Sequence, residues 1–218
     1  LQVVACHESP SKYGNNGLEM HDAATGEIIF GVPGDGDDIG RCMVADVDPE
    51  TPGCEVWASG TTLDGKLYSC RGELLSKKAP VYKFAGSWTF NMGIWWNGTL
   101  NRQMLDRGYV TEYIADNGGS GNRIFLKEDY GVTTGQGTKN NPVFYGDFWG
   151  DWREEMIYVT PDYTELRIFT TNIETKYRFR PLMYDHVYRL SATHENVGYN
   201  QPTHPGFYIG SDLLKDEN

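Results

Sequence analysis

No stretch of these 218 residues is apolar for long enough to span a bilayer, and the mean hydropathy is −0.52. A membrane partner is therefore not expected. Basic residues are scarce too: 19 Lys and Arg face 30 Asp and Glu, giving a formal net charge of −11. Non-specific nucleic-acid binding needs clustered cations to displace counterions, so that class is set aside. The four cysteines, Cys6, Cys42, Cys54 and Cys70, form no CxxC pair and sit at no tight spacing with a His pair. That argues against structural zinc. Their even number allows one or two disulfides, and free buried thiols equally well. The opening "LQVVACHESP" carries neither the basic n-region nor the apolar h-region of a secretory leader. It reads as the start of a mature protein or of a piece of one.

Helical periodicity is also sparse, and short β-type runs take its place. They include "LQVVAC", "GEIIFGV", "RCMVADV", "CEVWASG", "KLYSC", "FNMGIWW", "YVTEYI", "NRIFLK", "EEMIYVT" and "ELRIFTT". Turn sequences such as "DAATGE", "TTLDGK", "WWNGT" and "DNGGSGN" separate them. Strands and turns at this density predict an all-β fold. One short helix is expected over 182–192, "LMYDHVYRLSA". Two segments share a plan: "MVADVDPETPGCEVWASG" and "FYGDFWGDWREEMIYV" each run from an apolar strand through an Asp-bearing loop to Glu and a second apolar strand. A looser third copy is "EYIADNGGSGNRIFLKED". A repeat of roughly 50 residues is that of β-propeller blades, and a chain of this length would hold about four.

Carboxylates and aromatics crowd "FYGDFWGDWREEMIYV", where Asp147, Asp151, Glu154 and Glu155 interleave with Phe148, Trp149 and Trp152. Paired carboxylates beside aromatic platforms suit a glycoside hydrolase. However, Glu154 and Glu155 are adjacent in a strand run and point to opposite faces, so they cannot flank one bond. The other reading is a structural calcium loop, shared by Asp147, Asp151 and Glu154 and by Asp46, Asp48 and Glu55 in "DVDPETPGCE". Its plain alternative is a set of acidic turn residues that hydrogen-bond the backbone. Trp88, Trp95, Trp96, Trp149 and Trp152 are expected in the core.

The C-terminal run from "GDWREEMIYV" through "THENVGYNQPTHPGFYIG" resembles the family 11 rhamnogalacturonan lyases. So does the earlier series "HES", "DAATGE", "GR", "ADVDPETPGCEVWA" and "WWNGTL". The resemblance covers nearly the whole chain. It implies an eight-bladed propeller of which this chain is roughly the C-terminal half, with residues 181–218 as a closing segment. It also implies an extracellular enzyme that breaks rhamnose–galacturonate linkages of rhamnogalacturonan I by calcium-dependent β-elimination, completed by the missing N-terminal propeller half.

Residue by residue, the resemblance makes Lys139 in "GQGTKNNP" the catalytic base and Arg41 in "DDIGRCM" the second cation. Gln136, which stands where the family has Asn, Gly137, Thr138 and Tyr199 become substrate contacts. Glu8 and Asn196 become ligands of an active-site calcium whose other ligands would precede residue 1. Read without it, Lys139 is a solvated loop lysine, Arg41 pairs with Asp37 or Asp38, and Tyr199 packs beside Pro202. His7, His186, His194 and His204 read as structural. A lyase and a non-catalytic, calcium-stiffened carbohydrate-binding propeller piece both remain open.

Overall fold

The computed structural model describes residues 1–60, 63, 66–75, 79, 90–117, 119, 121–135, 140–195, 197 and 201–214. Its strands form four antiparallel sheets, each a meander in which chain neighbours are sheet neighbours. The first holds β1 (Gln2–Cys6), β2 (Asn16–Asp22) and β3 (Ile28–Pro33), and the second β4 (Cys42–Ala45), β5 (Glu55–Ala58) and β6 (Tyr68–Ser69). The third holds β7 (Met92–Ile94), β8 (Gln103–Asp106), β9 (Tyr109–Thr111) and β10 (Arg123–Leu126). The fourth holds β11 (Phe144–Gly146), β12 (Glu155–Val159) and β13 (Leu166–Phe169). Thus the sheets start at Gln2, Cys42, Met92 and Phe144, close to the expected repeat. Among the described residues no helix is long and apolar enough to cross a membrane.

The chain divides into two compact units: residues 1–91 with 113–121, and 92–112 with 122–218. In the first unit, Leu18 and Met20 of β2 pack with Ile39 and with Val56 and Ala58 of β5. These pairs lie two apart on their strands, so they share one face of each sheet. In the second unit, the adjacent Trp95 and Trp96 enter different clusters. Trp96 packs with Leu105, Phe125 and Tyr158, and Trp95 with Trp152, Leu182 and Tyr188. Of the tryptophans expected in the core, Trp95, Trp96 and Trp152 are buried. Trp149 is not, being 59% exposed, and Trp88 lies outside the described residues. Trp149 N donates to Glu155 Oε2 at 3.0 Å, and its ring lies against Phe148 rather than in the core.

The expected helix divides at Asp185. A 3-10 turn, Leu182–Tyr184, precedes α1 (His186–His194), and the Asp185 carboxylate accepts from the backbone N–H of Val187 and Tyr188 as an N-cap. Strands β2 and β8 were not among the expected runs. In β2 a carboxylate interrupts the apolar pattern: Glu19 is buried, with Asn16 Nδ2 donating to Oε1 at 2.7 Å and the Nε2 atoms of His7 and His21 each 3.0 Å from Oε2. Burial pushes this carboxyl up, but these partners outweigh burial and leave it below the usual range. His7 and His21 are thus occupied structurally. The β8–β9 hairpin turns on Arg107 and Gly108, with φ of 52° and 82°. Two positive φ values are what a two-residue hairpin with the right twist requires.

Candidate functional site

Three of the four sheets carry the same device at the end of their first strand. Glu55 pairs with Ala45, the last residue of β4, and its Oε2 accepts from Val47 N at 2.9 Å and Asp48 N at 3.1 Å. Glu155 pairs with Gly146, the last residue of β11, and its Oε2 accepts from Phe148 N at 3.1 Å and Trp149 N at 3.0 Å. Gln103 pairs with Ile94, the last residue of β7, and its Oε1 accepts from Trp96 N at 2.7 Å and Asn97 N at 2.8 Å. In each case one oxygen satisfies two successive backbone donors that leave the strand with no ladder partner. The plan shared by "MVADVDPETPGCEVWASG" and "FYGDFWGDWREEMIYV" therefore recurs in register, but the third member is Gln103 of β8 and not the expected "EYIADNGGSGNRIFLKED", because an amide oxygen does the same work without an acidic pattern.

In the second sheet this device gathers charge. Asp46, Asp48 and Glu55 are all buried. Burial, joined by the charges of Asp46 and Asp48, pushes the Glu55 carboxyl up to about 8. Its Oε1 has no hydrogen-bond partner among the described residues. Asp48 accepts from Thr51 Oγ1 at 2.9 Å and from Glu50 N at 3.3 Å, so it also shapes its own turn. The phenol of Tyr113 is pushed up by burial and then by Asp48 and Glu55. Oxygen donors of this kind suit a hard divalent cation.

The matching loop of the fourth sheet is built differently. Glu155, not Glu154, is the counterpart of Glu55. Glu154 turns to the opposite side, where its carboxylate takes Trp95 N at 2.9 Å, Arg102 Nη2 at 3.1 Å, Tyr188 Oη at 2.7 Å and the hydroxyl of Thr203. Arg102 completes this buried knot by donating to the carbonyls of Gly93 and Thr203, with its guanidinium 4.2 Å from the Trp95 ring. Asp147 accepts from Gly150 N, Asp151 N and Leu182 N, and Asp151 pairs with Arg153. These three carboxylates are thus committed to backbone donors and cations, as the plain alternative expected. Among the described residues no group of three or more His, Cys, Asp or Glu side chains is arranged to hold a metal ion.

At the start of the second sheet, Arg41 immediately precedes β4, and its carbonyl accepts from Ser59 N at 2.9 Å. The neighbouring Gly40 lies beside two carboxylates. A Cβ there would stand 3.4 Å from Asp38 Oδ1 and 3.9 Å from Glu8 Oε1. Ile39 N donates to His7 O at 3.3 Å, which draws the Glu8 segment alongside the Arg41 segment. The structure so brings Glu8 to Arg41's neighbour and adds Asp38, which the sequence had offered only as an ion-pair partner. Lys139, Gln136, Gly137, Thr138, Asn196 and Tyr199 lie outside the described residues.

The profile of the C-terminal domain of rhamnogalacturonan lyase family 11 matches residues 1–218. The chain belongs to this family. A relative, the rhamnogalacturonan endolyase YesW of Bacillus subtilis strain 168, is 41% identical over 215 residues, covering 99% of this chain and 32% of the relative. The rhamnogalacturonan exolyase YesX of the same organism is 39% identical over 227 residues, covering 99% of this chain and 35% of the relative. The crystal structure of YesW superposes with a TM-score of 0.82 over 97% of this chain and 33% of that one, at 40% identity. A rhamnogalacturonan lyase of Bacillus licheniformis gives 0.81 over 96% of this chain and 33% of that one, at 40% identity. The chain spans about a third of the length of these relatives.

Proposed function

We propose that the full-length protein containing this chain is an extracellular polysaccharide lyase that cleaves rhamnose–galacturonate linkages of rhamnogalacturonan I by β-elimination. The observation that carries this reading is the end-to-end match to the family 11 C-terminal domain, which runs through the segments of Arg41 and Lys139. In this reading the four sheets are successive propeller blades, residues 181–218 close the fold, and the remaining blades belong to the part of the relatives that lies beyond this chain.

The chemistry sets the demands on the side chains. A base must take the proton from C5 of galacturonate as the bond to O4 breaks, leaving a double bond between C4 and C5. That proton is weakly acidic while the neighbouring carboxylate bears full charge, so a cation must offset the charge that develops. Arg41 suits that carboxylate, because its planar fork donates two parallel hydrogen bonds. Lys139 is the assigned base. A lysine accepts a proton only when neutral, and a nearby cation lowers its pKa toward that state. Gln136, Gly137, Thr138 and Tyr199 are assigned to the sugar.

Calcium belongs to the same proposal. Glu8, beside Asp38 at Gly40, with Asn196 carried over from the family resemblance, and separately Asp46, Asp48 and Glu55, carry oxygen donors of the right chemistry, although among the described residues no three acidic side chains are gathered to hold an ion. Bound there, an ion would supply charge neutralisation at the uronate in the first case and would stiffen a loop in the second. An acidic chain acting on an anionic polymer gains from that neutralisation. The test is the rise in ultraviolet absorbance of the unsaturated uronate when full-length protein meets rhamnogalacturonan. Loss of signal with EDTA and its return with calcium support the reading. Binding without any absorbance gain, at every calcium level, replaces it with the carbohydrate-binding module.

A further inference from the structure

We propose that Lys176, Arg178 and Arg180, with the exposed rings of Tyr184 and Trp149, form a secondary binding site for a uronate-bearing polysaccharide, on a segment that carries neither Arg41 nor Lys139. The run "ETKYRFRPLMY" (174–184) is basic within a chain of net charge −11, and Glu174 is its one acidic residue. Lys176, Arg178 and Arg180 are exposed, while Thr175, Tyr177 and Phe179 between them are half-buried. That alternation is the pattern of an extended chain, in which successive exposed side chains stand roughly 7 Å apart. Pro181 supports it, because a proline disfavours the helical region at the residue before it. The half-buried side is anchored within the second unit. Thr175 Oγ1 donates to Gly98 O at 2.7 Å, and Phe179 meets the Trp152 ring edge-on at 5.2 Å. Tyr177 packs against the same cluster. The cations are thereby left as an outward row.

Their charge is not spent inside the fold. Among the described residues none of the three pairs with a carboxylate, whereas Arg153 is held by Asp151 and Arg102 by Glu154. The Arg180 guanidinium lies 5.5 Å from the ring of Tyr184, which is 70% exposed. Arg189 Nη1 donates to Met183 O at 2.8 Å and Tyr184 O at 3.2 Å, adding a further cation at that end. A Cβ at Gly150 would stand 3.4 Å from Pro181 Cγ, so the loop bearing Trp149 lies against the same segment. Guanidinium forks suit carboxylates, and open aromatic faces suit the apolar side of a sugar ring. Nucleic acid fits less well, since its grip depends on releasing many counterions and this short row supplies few. A second hold on the polymer raises its concentration at the catalytic site without adding chemistry. In that role the site rests on the lyase reading above; the binding itself does not.

Binding of the full-length protein is measured by biolayer interferometry in EDTA, which removes calcium bridging and halts the proposed chemistry. The probes are immobilised rhamnogalacturonan I, the same polymer with its carboxyls reduced, and duplex DNA. The triple variant Lys176→Gln, Arg178→Gln, Arg180→Gln should bind the uronate polymer about tenfold more weakly than wild type, the sum of three exposed ion pairs. Arg178→Gln alone and Tyr184→Ala should each lose less, and Arg178→Gln decides the matter if the triple variant fails to fold. With calcium restored, the absorbance assay should show the triple variant's KM rise for long polymer. Its kcat, and its kcat/KM on short oligosaccharides, should match wild type. Equal binding of the uronate polymer by wild type and variants overturns the proposal. So does wild-type binding of the carboxyl-reduced polymer or of DNA at the affinity of the uronate polymer. An equal loss on oligosaccharides and polymer also overturns it, by making the row part of the catalytic cleft. A wild type that is silent in the absorbance assay but shows row-dependent binding removes the lyase reading and leaves this site standing.

Discussion

Arg102 Nη2 lies 3.1 Å from Glu154 Oε2, with the two side chains 2% and 0% exposed. The pair stands where the third and fourth sheets meet the C-terminal segment, because Tyr188 and Thr203 complete the ligation of the same carboxylate. A charge held this far from water is tolerable only while its partner remains.

Glu154→Leu should therefore destabilise the second unit by about 3–5 kcal/mol, the cost of orphaning a buried cation. Arg102→Met combined with Glu154→Leu should recover a large part of that loss, since both charges are then gone. Urea unfolding of the three proteins checks this. Equal or greater loss in the double variant would mean that the knot acts through its neutral hydrogen bonds instead.

The paired-donor device makes a second expectation. Gln103→Leu keeps the volume but leaves Trp96 N and Asn97 N without their acceptor. Burying unsatisfied donors costs about 1–3 kcal/mol each, so a loss of roughly 2–6 kcal/mol is expected by the same measurement. A change within error would show that water reaches the loop.

Much of this fold was legible in short β-type runs and strong turns, because each sheet is a local meander that needs no long-range pairing. Two things were not. Strand β2 hides behind Glu19, whose carboxylate is hydrogen-bonded by Asn16 of the same strand and by His7 just after β1. In the fourth sheet the counterpart of Glu55 was placed one residue early, at Glu154 in place of Glu155. Neighbouring glutamates on a strand look alike in sequence, and only the register Gly146 to Glu155 decides which one reaches the loop. Gln103 escaped notice because an amide oxygen accepts as a carboxylate does without sharing its charge. Around the proposed chemistry, Arg41 and Glu8 rest on resemblance, whereas Asp38 enters only through the close approach at Gly40.

The catalytic assignment gives a third expectation, measured by the absorbance assay on full-length protein. Lys139→Ala should lower kcat by about 100-fold or more, the scale of a lost general base. Arg41→Lys retains the charge but loses the two-pronged geometry, so it should fall between wild type and Arg41→Ala in kcat/KM. If Arg41→Lys and Arg41→Ala are equally active, Arg41 does not bind the uronate. Circular dichroism of each variant separates loss of chemistry from loss of fold.

Buried carboxyls set the response to pH. Burial first, then neighbouring carboxylates, pushes Glu55 up to about 8 and Glu155 up to about 7, and burial pushes Glu195 up to about 9. Each is higher in the folded chain than the ordinary value of 4.5. Folding therefore takes up protons as pH rises above that value. The stability these groups contribute is fully present below pH 4.5 and is lost as pH climbs through about 7 to 9. In EDTA, the melting temperature of the full-length protein should thus decline across that window, and Glu55→Gln should shallow the decline. Calcium should shallow it further in wild type but less in Glu55→Gln, because the ion favours the ionised carboxylate that Glu55→Gln lacks. A calcium effect of the same size in both proteins would remove Glu55 from the metal site while leaving the pH argument standing.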